Sequence, residues 1–401
     1  MDARPLADIT LVDASQGVAG PTAGVIFADL GADVIAVEPP GGKTARHYRG
    51  GIPMPNVARN KRSVVLDLKT PEGVAALHDL VEDADAFIHN NRPEKNAGLG
   101  CDYDTLAGIN PQLVYCSVTG YGEAGLYSDR PAVDPLAQAI SGMMWSTGEP
   151  DRTPSRISVS VSDYATGIYA AFAMLTAIRH ARRTDQGQKV ETSLFDTAAG
   201  FMGHWYTLYD KTGEQPHRQG DSWDTYAPAG IFETATGPIY LATPFQFLWE
   251  RVPEAIDRPD LLEDPRFASN EKRLEYRDVL TEELESAFVE YDRDELLERL
   301  LAADVPASEL KTVAEAAHDE HLHERGTLKR IKDVNGDEVI ATTSPVRYSK
   351  TPVEVEHGPP QLGEHTHEVL SEHGLSEEEI NRCSSPTTET ESGRSDRRSG
   401  E

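Results

Sequence analysis

The chain has only three cysteines in 401 residues, Cys101, Cys116 and Cys383, and no C-x-x-C pair. That spacing argues against a disulfide framework or a zinc ribbon and suits a reducing cytoplasm. Lysine is also scarce. Eleven lysines and 27 arginines face 67 Asp and Glu, for a formal net charge of −29. Phosphate backbones need clustered Lys and Arg, so nucleic-acid binding is disfavoured. No run of 18 apolar residues is free of charged or polar breaks, so no transmembrane helix is expected. The opening "MDARPLADITLVDAS" lacks the basic and apolar regions of a signal peptide. Also missing are G-x-S-x-G, H-E-x-x-H and G-x-x-x-x-G-K-[ST]. Most familiar hydrolase and kinase chemistries therefore have no foothold.

What is abundant is acid, and it runs through every segment. An acid-rich, lysine-poor surface predicts a halophilic cytoplasmic protein, because molar salt screens the self-repulsion of such a charge. The length predicts two or three domains with a sizeable core.

The first 40 residues read as strand, turn, helix, strand. "DITLVDA" is apolar and β-branched, "GVAGPTAG" is a turn, "TAGVIFADLGA" is helical up to Gly31, and "DVIAVEPP" is a strand closed by Pro39 and Pro40. The alternation continues. "RSVVLDL", "DAFIHN" and "QLVYCSVTGYG" read as strands. "TPEGVAALHDLVEDA" reads as a helix with Thr70 at its N-cap and Pro71 in its first turn, and "YDTLAGIN" as a short helix. Strands alternating with helices predict a Rossmann-like α/β domain with a mostly parallel sheet. After about residue 215 come short strands and charged amphipathic helices, a smaller α+β domain. "RIKDVNGDEVIATTSPVRYS" predicts a hairpin turning on the two residues Asn335 and Gly336. The expected division is 1–215 for the N-terminal part of the large domain and 216–325 for the small one. Residues 326–382 return to complete the large domain, and 383–401 form a disordered polar tail.

Several local motifs have plain readings. The glycine turn is spaced G-x-x-G-x-x-x-G, which departs from the dinucleotide fingerprint, although Glu38 ends the second strand where a ribose-binding acid would sit. His318, His321 and His323 lie among Asp319, Glu320 and Glu324, which marks a solvated face; His365 and His367 are a weaker version. No metal is expected.

One carboxylate stands out, in "RISVSVSDYATGIYAAFAMLTAI". Ile157, Val159 and Val161 alternate with Ser158, Ser160 and Ser162, the period of a half-buried strand. From Ala165 the residues are small or apolar all round, as in a buried helix. Asp163 lies between. It is either a helix N-cap or a carboxylate at the C-terminal end of a sheet strand, where α/β proteins place ligands. Pattern alone leaves both readings open.

The ordered blocks "GVAGPTAGVIFADLGADVIAVEPPGG", "NKRSVVLDLKTPEG", "NPQLVYCSVTGYGEAG", "SDYATG", "RRTDQGQKVETSLFDTA", "EDPRF" and "PPQLGEHTHEVL" together resemble class III CoA-transferases, the formyl-CoA and carnitine CoA-transferase family, over roughly residues 6–382. The resemblance implies that Asp163 is a covalent nucleophile. It implies CoA contacts at Val18 and Ala19, at Leu66, Leu68 and Lys69, and at Asn90 and Asn91 with Arg92. CoA thioesters would be substrates, with no permanently bound cofactor, and the subunits would interlock as a homodimer. There are departures. Some members carry Gln in place of Val18 and Arg in place of Pro39, and a family Arg just after "HNNRP" is missing, with Arg92 and Lys95 nearby. The same family contains α-methylacyl-CoA racemases, which pair the Asp with a His. Here Val133 stands at that position, which favours transfer and leaves Asp163 working alone. In "TARHYRGG", Arg46, His47 and Arg49 are candidates to contact a substrate carboxylate or CoA. The expected donor is succinyl-CoA and the expected acceptor a C4–C5 dicarboxylate such as mesaconate. A racemase-type enzyme and a non-catalytic acyl-CoA-binding protein remain the alternatives.

Overall fold

Six parallel strands organise the larger part of the molecule: β1 (Thr10–Asp13), β2 (Asp33–Glu38), β3 (Arg62–Val65), β4 (Ala86–His89), β5 (Val114–Thr119) and β6 (Gln188–Ser193). Their order is β3-β2-β1-β4-β5-β6. The chain reverses direction across the sheet between β1 and β4, which opens a crevice at the C-terminal strand ends. The strands are apolar runs because helices cover both faces; Leu11, Val12, Ile35, Val64, Phe87, Ile88 and Val114 are each buried. This is the Rossmann-like α/β sheet that the alternating sequence predicts. Thr70 caps its helix as expected: its hydroxyl accepts from Gly73 N, and Pro71 opens the helix Pro71–Glu82.

The computed structural model describes residues 4–385. The chain divides into two compact units. One contains the residues up to Ser141, Ser158–Phe201, and those from Glu320 on; the other contains Gly142–Ile157 and Met202–Asp319. These divisions fall at 201 and 319, where the sequence reading expected 215 and 325, and a short early segment joins the second unit. That unit has an antiparallel sheet of β7 (Ala229–Phe232), β8 (Ile239–Ala242) and β9 (Ala307–Glu309). Trp249, Phe267, Leu284, Phe288, Leu296 and Leu300 fill its core.

The long helix Val161–Thr184 differs from its sequence reading in two ways. It begins at Val161, and residues 157–160 form no strand, because no neighbouring strand pairs with them. It is also not buried all round. Thr166, Gly167, Ala170, Ala171, Met174, Ala177 and Ala181 pack against the first helix (Ala19–Asp29) and strands β5 and β6. Tyr164, Ile168, Tyr169 and Phe172 lie exposed on the opposite side. By length and composition this helix could cross a membrane, but its small-residue face is packed into the unit. Gly167 sets the packing distance: a Cβ there would lie 2.5 Å from Ala19 O and 2.8 Å from Thr22 Cβ.

Two further expectations change, and one strand is added. The hairpin of β10 (Leu328–Lys332) and β11 (Glu338–Thr342) pairs Lys332 with Glu338, so five residues turn instead of two. Asp333 organises that turn by accepting from Asn335 N and Asp337 N. Cys383 does not begin a polar tail. It is buried in the main core within the helix Glu377–Ser384, and its carbonyl accepts from Asp67 N. The rest of the expected tail, from residue 386, lies outside the described residues. β6 escaped the sequence reading because this strand, "QKVETS", has an edge position and few apolar residues.

Candidate active site

The C-terminal strand ends carry the residues that matter. Arg182, near the C-terminus of the long helix, bonds Asp8 before β1 and Asp85 before β4. That end of the helix therefore lies at the N-terminal edge of the sheet, and its start, with Asp163, lies at the C-terminal edge. Gly167, one turn after Asp163, touches the first turn of the first helix. Asp163 is thereby brought to the glycine turn of Val18 and Ala19.

Asp163 is the third residue of its helix and caps nothing, which corrects the N-cap reading. Among the described residues no hydrogen bond or cation reaches its half-buried carboxylate. Burial, and then the charge of Asp134, push its pKa up to about 6. Desolvation is the larger of the two causes. The group still ionises near neutral pH, where it needs no general base to act as a nucleophile.

Asp134 is the neighbour the sequence reading missed. It is buried, its Oδ1 accepts from Ser162 N at 2.8 Å, and its Oδ2 accepts from Gln138 Nε2 at 2.7 Å. It thus holds the start of the long helix in place of a local cap. Val133 is the N-cap residue of the helix Asp134–Ile140, so the missing His has a charged residue directly beside it. Asp163 does not work in isolation. A buried acid 29 positions upstream leaves no periodic signal.

The expected CoA contacts gather along the same edge. Val18 is the half-buried N-cap residue of the first helix, with no side-chain cap, and Ala19 is its buried first residue. Asn90, after β4, clamps Gln16: its Oδ1 accepts from Gln16 N at 3.0 Å, and its Nδ2 donates to Gln16 O at 2.6 Å. Asn91 N donates to Nδ1 of buried His89. Burial keeps that imidazole neutral, with its pKa pushed down to about 4. Arg92 is exposed. After β3, Leu66 is buried in the core, so its backbone is what it can offer a ligand; Leu68 packs partly against that core and Lys69 is exposed.

Arg46 is not a free clamp for a substrate. Its Nε and Nη2 make a bidentate pair with Glu38 at 2.7 and 2.6 Å, and its Nη1 donates to Pro360 O. His47 Nε2 lies 2.8 Å from Gly41 O, and Arg49 is exposed beside the Tyr48 ring. No group of three or more metal-binding side chains occurs among the described residues. His318 Nδ1 instead donates to Ala314 O.

A Rossmann-like sheet with a crevice at its C-terminal strand ends, a glycine turn there and a bare carboxylate on the helix packed beside it define an α/β protein with a candidate ligand site at that edge. The comparisons narrow that class. The profile of CoA-transferase family III matches residues 6–366, and the chain belongs to this family and is a CoA-transferase. It is 33% identical to a succinate–glutarate CoA-transferase of Agrobacterium fabrum, over 92% of this chain and 95% of that one. It is 34% identical to a succinyl-CoA:mesaconate CoA-transferase of Haloarcula hispanica, over 92% and 96%. Among solved structures, a CAIB/BAIF family protein from Brucella suis superposes with a TM-score of 0.85 at 33% identity, covering 93% of this chain and all of that one.

Proposed function

We propose that this chain moves CoA from succinyl-CoA to a small dicarboxylate such as mesaconate, with Asp163 as the nucleophile. The observation that supports the assignment of Asp163 is its unpaired, half-buried carboxylate, one helical turn before the Gly167 contact with Ala19, with its pKa pushed up to about 6. A carboxylate with no cation on it is free to attack. The relatives that act on succinate, glutarate and mesaconate support the substrate class.

The steps balance without ATP. A carboxylate oxygen of Asp163 attacks the thioester carbonyl of succinyl-CoA, forming a mixed anhydride and expelling CoA thiolate. The thiolate attacks the aspartyl carbonyl, giving an aspartyl-CoA thioester and succinate. The acceptor carboxylate then attacks that thioester, and the thiolate, released again, takes the acceptor acyl group and frees Asp163. One difficult displacement becomes four easier ones, and the thioester is conserved. Val18, Ala19, Asn90, Asn91, Lys69 and Arg92 are the proposed CoA contacts. The free N–H groups of an uncapped helix start suit an oxyanion.

The proposal includes a homodimer. Tyr164, Ile168, Tyr169 and Phe172 are 41%, 58%, 53% and 66% exposed on one side of the long helix, an apolar surface suited to a second copy. It also includes halophily, on the charge of −29. Unfolding in dilute buffer and refolding in molar KCl would support that reading; equal stability in both would refute it.

The test of function is mass spectrometry under turnover. Incubation with succinyl-CoA should leave CoA on the Asp163 peptide, and Asp163→Asn should leave none. Turnover without an adduct on that peptide would overturn the assignment. Exchange of an α-proton with D2O, with no acid acceptor present, would instead favour racemisation.

A further inference from the structure

Behind the glycine turn lies a buried charge lattice that the chemistry above does not use. Asp13 ends β1 and is fully buried; Lys61, just before β3, is 1% exposed at its side chain. Lys61 Nζ donates to Asp13 Oδ2 at 2.7 Å and to Pro21 O at 2.8 Å. Asp13 Oδ1 accepts from Ser15 N at 2.9 Å and from the Ser15 hydroxyl. Lys43 Nζ donates to Asp13 O at 3.1 Å.

These bonds bracket the turn. Ser15 is fixed on one side through Asp13, and Pro21 on the other through Lys61. Gln16, between them, is held at both backbone atoms by Asn90. The helix start has no capping side chain of its own, so its shape is imposed from outside. Room for the pair is left by Gly24: a Cβ there would lie 2.6 Å from Lys61 Nζ and 2.7 Å from Asp13 Oδ2. A buried ion pair is a weak source of net stability, since well-packed apolar residues of the same size often do as well. What it fixes is geometry. The lattice also sets Lys43, Lys61 and Arg46 against Asp13 and Glu38. That leaves surplus positive charge behind a surface expected to receive anions.

We propose that Asp13 and Lys61 are positioning residues, which hold residues 15–21 so that the backbone of Val18 and Ala19 is preset for the CoA thioester. This rests on the reading of Val18 and Ala19 as CoA contacts. Neither side chain touches substrate; both act through the turn.

The experiment measures CoA binding by calorimetry on full-length Lys61→Met, Lys61→Arg and Gly24→Ala. Amide deuterium uptake at residues 15–20 and the melting temperature are read alongside. Lys61→Met and Gly24→Ala should weaken CoA binding by about tenfold to a hundredfold and raise uptake in the turn, and Lys61→Arg should recover part of the loss. Gly24→Ala keeps both charges and normally favours a helix, so it remains decisive if Lys61→Met does not fold. Folded variants with a lower melting temperature but unchanged CoA affinity and unchanged uptake would overturn the proposal. An unmodified protein that fails to bind CoA would sink the CoA contacts themselves. Binding by the unmodified protein, with variants unchanged, would sink only the positioning role.

Discussion

Asp13 and Asp163 flank the same first helix and meet opposite fates. Burial pushes the carboxyl of Asp13 up, but Lys43 and Lys61, with bonds from Lys61 and Ser15, overcome it and hold it well below the usual range. Burial pushes Asp163 up too, and there only another carboxylate, Asp134, adds to it. The amount of burial is thus a poor guide to a carboxylate's role. What decides is whether donors come with it. An acid with its lone pairs occupied is part of the scaffold, and one left bare is available for chemistry.

The comparison breaks most sharply under one substitution made twice. Asp163→Asn is expected to lower CoA exchange by about 10⁴-fold or more, as removal of a covalent nucleophile does; near-normal turnover by HPLC would end the distinction. Asp13→Asn leaves the Lys61 ammonium buried without its counter-charge. It should cost about 3–5 kcal/mol of stability, read by denaturant unfolding in high salt.

Asp163→Asn should have the opposite sign in stability. Its carboxyl titrates near 6 in the folded chain against 3.8 as the reference. Between those values the folded state holds a proton that the unfolded state has lost, so stability falls as pH rises through the window. Above it, the ionised side chain destabilises the fold by up to about 3 kcal/mol. The amide removes that cost. The variant should therefore melt higher than the parent at pH 7, with the difference vanishing once the pH is below the reference value. A variant that melts lower at neutral pH would mean that the carboxylate has a partner.

Much of this was legible in the sequence, and the gaps have physical causes. Strands buried on both faces read as apolar runs, so β1 to β5 and their order of appearance could be marked. β6 could not, because its edge position lets Gln188, Lys189 and Glu191 stay in the strand. The Ser-Val alternation before Asp163 mimicked a strand because a period of two says nothing about pairing. At the site, Asp163 was found through its block and its environment was not. Asp134 acts from another helix, through Ser162 N, and no spacing in the sequence links it to Asp163. Arg46 looked like a substrate clamp because spacing cannot reveal that Glu38 already occupies its fork. Lys61, one of only 11 lysines, carries no periodic or spacing signal that would mark it as buried against Asp13.

The smallest predicted effect isolates the second cause of the Asp163 shift. Asp134→Asn removes the like charge, yet its amide oxygen can still accept from Ser162 N. The helix start should therefore keep its shape. Burial is the larger cause and stays, so the acid limb of kcat/KM should move from near pH 6 part of the way toward the reference value. The direction follows from the chemistry: only the ionised form attacks, so a lower pKa extends activity to more acid solution. A less basic carboxylate is also a weaker nucleophile, so the neutral-pH plateau should drop slightly as the limb shifts. Both changes together would show that Asp134 tunes the nucleophile by its charge. A plateau that falls while the limb stays fixed would show that Asp134 matters only as the anchor of Ser162.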